Sequence, residues 1–212
     1  MHQVRTEPGR GGKPRVTIGF RVHCGWAAAV AIAASKPGAR AVARHRVPLL
    51  DPDSEATPQV YHAAAELPFA DAAGYLRQAQ AHARARAIAG LGGLLLELRR
   101  EYDVCGAAIV AGNGRPIREL DAILRSHTAI HAAEGEFFRE AVACACDAQA
   151  LSVLRIPSRD IYEIGVAATG ESETVLRRTL ATLGSRLGAP WGQDQKEAAL
   201  VALLALYRSA VP

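Results

Sequence analysis

The sequence predicts an α/β fold with a five-stranded mixed sheet, strand order 3-2-1-4-5, and helices on both faces. Three observations carry this expectation. Three strand-like segments open the chain in succession, joined by turns too short for a crossover. Two more strand-like runs follow, each behind a long helical segment. The chain then closes on helices. Strands joined by short turns pair antiparallel, whereas strand–helix–strand units require parallel pairing with right-handed crossovers, so one sheet must hold both kinds.

Residues 15–23 (RVTIGFRVH) alternate β-branched with other residues, and 26–34 (WAAAVAIAA) form a second apolar run after the Cys24-Gly25 turn. Together they read as a hairpin. After Lys36-Pro37-Gly38, residues 39–47 (ARAVARHRV) alternate apolar with basic, which places the third strand near an edge with one face in solvent. Residues 48–69 are rich in proline and without period, and are expected to form a long loop. Residues 70–101 give an Ala/Arg/Leu-rich helix with an interruption expected near Gly90 to Gly93. Residues 103–111 (DVCGAAIVA) suit a buried central strand. A second long helix is expected over 117–149 with a kink near Gly135, a last strand over 151–156, and helices over 158–166, 171–186 and 193–209.

At 212 residues, 50% hydrophobic and 22% charged, the chain can build its own core. The expected organisation is a flexible basic arm over residues 1–14 and a single domain over 15–212. Aromatics make up only 5%, and alanine dominates, so the core should consist of closely approaching helices and sheet. A net charge of +4 permits contact with a polyanion but is far from the density of a dedicated nucleic-acid-binding tail. Cys24, Cys105, Cys144 and Cys146 form no C-x-x-C pair and read as reduced core thiols. The arm lacks the apolar run of a signal peptide, and no transmembrane-length apolar run occurs, so a cytoplasmic protein with no membrane partner is expected.

Three short stretches resemble one known family. Thr17-Ile18-Gly19-Phe20-Arg21 is similar to an opening strand of the form apolar-Gly-apolar-Asp, with Arg21 at the Asp position. The stretch from His127 to Asp160 resembles a Gly-containing helix, a strand and a Pro-x-x-x-Lys motif, without the Lys, which would fall near Ile161. Asp194-Gln195-Lys196-Glu197-Ala198-Ala199-Leu200 is similar to an Asp-Ala-Ala-Asp-Ala-Leu-Ala helix. These are the motifs of RuvC-type Holliday junction resolvases, a branch of the ribonuclease H-like superfamily.

The resemblance implies a ribonuclease H-like fold and a nucleic-acid partner, DNA ahead of RNA, with Mg²⁺ or Mn²⁺ as the cofactor of any cleavage. Residues three apart on a helix share a face, so Asp194 and Glu197 can offer two carboxylates to one ion. Two-metal cleavage needs more acids than that. The family takes one from the first strand, where this chain has Arg21, and one from the fourth, where Ala111, Gly112 and Asn113 stand. A guanidinium there repels a dication and can pair with Asp194 or Glu197. The expectation is therefore a catalytically degenerate binding or scaffold module, with a homodimer as its assembly. The alternative is a divergent Mg²⁺-dependent, structure-specific endonuclease using Asp194, Glu197 and a recruited Glu134 or Glu136.

Other constellations are less specific. His127, His131 and Glu134 lie at i, i+4 and i+7 of one predicted helix and can present two imidazoles and a carboxylate to a transition metal. The expected nucleic-acid-binding residues are Arg21, Arg44, Arg115 and Lys196: Arg44 belongs to a basic third strand, and Arg115 to a glycine-rich strand-to-helix turn suited to phosphate. Trp26 could stack on a base, although core packing explains it as well. Adjacent His23 and Cys24 read as a turn.

Overall fold

The structure, a computed structural model, describes residues 9–35, 38–51, 57–114 and 119–209. Its strands are β1 (Arg15–His23), β2 (Trp26–Ser35), β3 (Gly38–Pro48), β4 (Asp103–Ala111) and β5 (Val153–Pro157). They form one five-stranded sheet in the order β3-β2-β1-β4-β5. β1 pairs antiparallel with β2, and β2 with β3, while β1 with β4 and β4 with β5 are parallel. This is the architecture expected from the element order, with β3 at an edge. The β1–β2 turn closes on Gly25, whose φ of 84° lies in the left-handed region that glycine adopts without steric cost.

Two layers of helix bury the sheet. One face, carrying Val16, Ile18, Phe20, Ala27, Ala29 and Ile109, packs against α1 (Val60–Ala65), α2 (Phe69–Glu101) and α4 (His127–Ala148). The other, carrying Val30, Ile32, Ala108 and Val110, packs against α5 (Ile161–Thr169), α6 (Glu173–Leu183) and α7 (Gln193–Arg208). α7 is buried from Ala198 to Leu206, with the sheet on one side and α5 and α6 on the other.

Small residues set the depth of α7. A Cβ added at Gly19 would stand 1.9 Å from the Ala198 carbonyl oxygen, so β1 and α7 touch backbone to backbone there. One turn further along α7, the buried Thr17 hydroxyl donates to the Ala202 carbonyl at 2.6 Å, giving a polar side chain in the core its partner. The alanine-rich composition thus becomes a thin, tight interface.

Several expectations about elements are corrected. The loop over 48–69 contains α1, a helix too short to show a period in sequence. α2 begins at Phe69 and runs unbroken for 33 residues. Gly90 does not interrupt it, because its missing Cβ admits β3, where Val47 Cγ1 would otherwise lie 2.9 Å away. The expected helix over 117–149 divides into α3 (Leu120–Leu124) and α4 at Ser126, whose hydroxyl caps α4 by accepting from the Ala129 amide. No kink occurs at Gly135; it makes room for the Arg139 guanidinium, 3.0 Å from where a Cβ would stand. β5 and α5 start later than expected, after Leu151-Ser152 and a Ser158–Asp160 turn respectively. Residues 1–8 of the N-terminal arm lie outside the described residues; Lys13 Nζ donates to the Arg99 carbonyl at 2.7 Å.

Candidate functional site at the strand ends

β1, β4 and β5 all end on one edge of the molecule, and α7 begins there, running back over β1. The ends of parallel strands are where open α/β sheets usually build sites. Successive residues of β1 alternate faces, so Gly19, Arg21 and His23 point toward α7. Opposite them stand Ala198, Glu197 and Asp194. The sequence-predicted pair of acids therefore meets the strand-end residues one to one.

Arg21 Nε lies 3.0 Å from Glu197 Oε2, and the two side chains are only 29% and 15% exposed. The other oxygen of Glu197 accepts from Gln193 Nε2 at 2.8 Å, and Gln193 also contacts the Tyr162 hydroxyl at 3.2 Å. Asp194 Oδ1 lies 2.9 Å from His23 Nε2. The His23 ring stacks on Trp26 with centroids 4.5 Å apart, and the Arg46 guanidinium lies 3.7 Å over Trp26. Two acid–base pairs, one of them extended through Trp26 to Arg46, thus line the end of β1.

This arrangement does not fit Mg²⁺ or Mn²⁺. Such an ion takes carboxylate oxygens and water in a near-octahedral shell. Both oxygens of Glu197 are already engaged, one by the Arg21 guanidinium and the other by the Gln193 amide. The β1–β4 register pairs Phe20 with Ile109, which brings Val110 beside Arg21, and Val110 is packed in the apolar cluster under α7. Beyond it, Asn113 Oδ1 accepts from the Arg159 amide at 3.1 Å. Among the described residues, no third carboxylate joins Asp194 and Glu197.

Glu134 lies elsewhere. It is on α4, across the sheet from α7, and is almost fully buried, with Oε1 2.9 Å from His62 Nδ1. Glu136, its neighbour, is bound by Arg139 and Arg155, each at 2.8 Å. Burial pushes the Glu136 carboxyl up, but the hydrogen bonds and charges of Arg139 and Arg155 outweigh it and hold the carboxyl below its ordinary range. His127 and His131 come together, Nε2 to Nε2 at 3.3 Å. Their third neighbour, His62 of α1, escaped sequence reasoning because it sits in a segment read as loop.

Of the expected nucleic-acid-binding residues, Arg21 is in the ion pair. Arg44 donates through Nη1 to the carbonyls of Gly188 and Pro190, at 2.9 and 2.6 Å, and so ties β3 to the turn before α7. Lys196 is half-buried in the first turn of α7. Arg115 lies outside the described residues. Beside the turn that precedes it, a cavity of about 300 Å³ is lined by Tyr61, Asn113, Glu136, Phe137 and Arg139 among others. The four cysteines are free. Burial pushes the Cys146 thiol up to about 12, and burial first, then the Glu134 charge, raises Cys24.

A mixed β3-β2-β1-β4-β5 sheet, helices on both faces and a closing helix laid back over the first strand define the ribonuclease H-like fold. Solved structures with this arrangement include RuvC of T. thermophilus in complex with a Holliday junction substrate. It matches with a TM-score of 0.50 at 15% identity, over 92% of this chain and 94% of that one. A second structure of Thermus thermophilus RuvC matches with a TM-score of 0.50 at 16% identity, over 91% and 95% of the two chains. No protein-family model and no curated protein sequence matches the chain. No helix among the described residues is long and apolar enough to cross a membrane.

Proposed function

We propose that this protein is a nucleic-acid-associated module of ribonuclease H-like fold in which an ion pair stands in place of a metal centre, so that it binds or scaffolds rather than cleaves. The observation that carries this reading is the 3.0 Å contact of Arg21 with Glu197. A guanidinium at that place supplies the positive charge that the acids of α7 would otherwise take from a metal. It cannot polarise a phosphodiester while holding an attacking water in the way a pair of ions does.

The partner is inferred from the fold's likeness to RuvC, which has been solved on a Holliday junction substrate. The chain's net charge of +4 is compatible with that partner. DNA is the favoured nucleic acid, with Lys196 at the mouth of the strand-end site and Arg115 on the glycine-rich turn as phosphate contacts. A homodimer and a cytoplasmic location complete the proposal. Contacts of this kind release counterions, so affinity falls steeply with salt.

The test is a gel-shift series with purified protein on a four-way DNA junction, a DNA duplex and an RNA–DNA hybrid, with and without Mg²⁺ or Mn²⁺. The expected result is a salt-sensitive shift that needs no divalent ion and leaves the strands intact. Absence of any shift would show that nucleic acid is the wrong partner. Cleavage lost in an Asp194→Ala/Glu197→Ala variant would establish the endonuclease instead.

A further inference from the structure

We infer that His62, His127 and His131 form a zinc site, with Glu134 as the buried carboxylate that orients it. One ring nitrogen from each of the three imidazoles lies within 4.8 Å of the other two. His127 Nε2 and His131 Nε2 are 3.3 Å apart. Two nitrogens bound tetrahedrally at Zn–N distances of roughly 2.0–2.1 Å sit about 3.3 Å from each other, so this pair already spans one edge of a zinc tetrahedron. His62, whose ring nitrogen lies within 4.8 Å of theirs, supplies the third ligand.

Glu134 gives the cluster its direction. Its Oε1 lies 2.9 Å from His62 Nδ1 and 3.3 Å from the His62 amide, while Oε2 faces His131 Nδ1 at 4.0 Å. With Nδ1 directed to the carboxylate, His62 is left to bind through Nε2. That is the carboxylate–histidine–metal relation by which zinc sites fix the ring orientation and strengthen the donor. The Glu134 side chain is only 3% exposed, and a carboxylate so buried is stabilised by a nearby positive charge. A dication on the far side of His62 and His131 would add to that stabilisation.

The fold holds the ligands in place from both sides. His127 and His131 stand one turn apart at the start of α4, behind the Ser126 cap. His62 follows Tyr61, whose ring packs edge-on against Phe137 of α4 with centroids 6.2 Å apart. Zinc would therefore fasten α1, in the connection between β3 and α2, to the core helix α4. Three imidazoles leave a fourth position for water, and nitrogen donors favour Zn²⁺ over Mg²⁺. This site is separate from Asp194 and Glu197, and the inference does not rest on nucleic-acid binding.

The experiment uses the full chain without an affinity tag, stripped by chelator, dialysed against Zn²⁺ and assayed for bound metal, with Co²⁺ as a spectroscopic probe. One zinc per chain and the visible bands of tetrahedral Co²⁺ are expected. His127→Ala and His131→Ala, both at exposed positions, lose them while circular dichroism shows the fold intact. Glu134→Gln weakens zinc by about 10- to 100-fold. His82→Ala, on the exposed side of α2, changes nothing. Failure of the wild type to hold zinc, or retention of zinc by both histidine variants, overturns the site. An unchanged affinity in folded Glu134→Gln overturns the role given to Glu134.

Discussion

Arg21 is the residue on which the functional reading turns. Its pairing with Glu197 could be anticipated because both residues stand in recognisable motifs and the strand-helix arrangement brings the motifs together. Replacing Arg21 with Ala leaves Glu197 without its cation in a site that is mostly buried. A loss of about 1–2 kcal/mol is expected, measured by urea denaturation. A loss no greater than that of an exposed arginine such as Arg84 would show the pair to be energetically idle. Thiol reactivity offers a second check at this scale. With Cys146 fully buried and its pKa near 12, native protein exposed to iodoacetamide should be alkylated at Cys24 and spared at Cys146 until it unfolds. His62 shows the opposite of Arg21: 65 residues before His127 and in a six-residue helix, it leaves no local trace of the cluster it joins.

At the scale of elements, the seat of α7 on β1 is the most demanding contact. Gly19→Ala drives a methyl into the Ala198 carbonyl, backbone against backbone, so neither side can yield cheaply. A destabilisation of about 3 kcal/mol or more is expected from denaturant unfolding, at the upper end of overpacking costs. The α4–β5 contact has a pH signature. Glu136, held by Arg139 and Arg155, has its carboxyl below the ordinary 4.5, so its contribution is present above that value and fades as pH falls through the folded pKa. The stability gap between wild type and Glu136→Gln should accordingly be widest near neutral pH and close in acid. A gap independent of pH would deny the linkage. Strand order was legible at this scale because hairpin turns and crossovers leave few topologies. Helix ends were less so: Gly90 and Gly135 look like breaks in sequence, yet each makes room for a side chain, Val47 of β3 in one case and Arg139, one turn on in the same helix, in the other.

For the molecule as a whole, the sheet separates two chemistries that the sequence placed together. Asp194 and Glu197 lie on the α7 face, while Glu134, expected as a recruited third acid, is buried with the histidines on the α4 face. A helix position tells which residues share a stripe but not which side of a sheet the helix will cover. What remains on the α7 face is two acids, each facing a basic side chain, within a ribonuclease H-like fold. The most direct test is a titration of chelator-treated protein with Mn²⁺, followed by paramagnetic resonance, comparing wild type with Asp194→Ala/Glu197→Ala and scoring four-way junction cleavage in the same samples. The account predicts identical Mn²⁺ binding in the two proteins and intact junction throughout. A Mn²⁺ ion bound by wild type and lost from the double variant, with cleavage lost alongside it, would contradict the account.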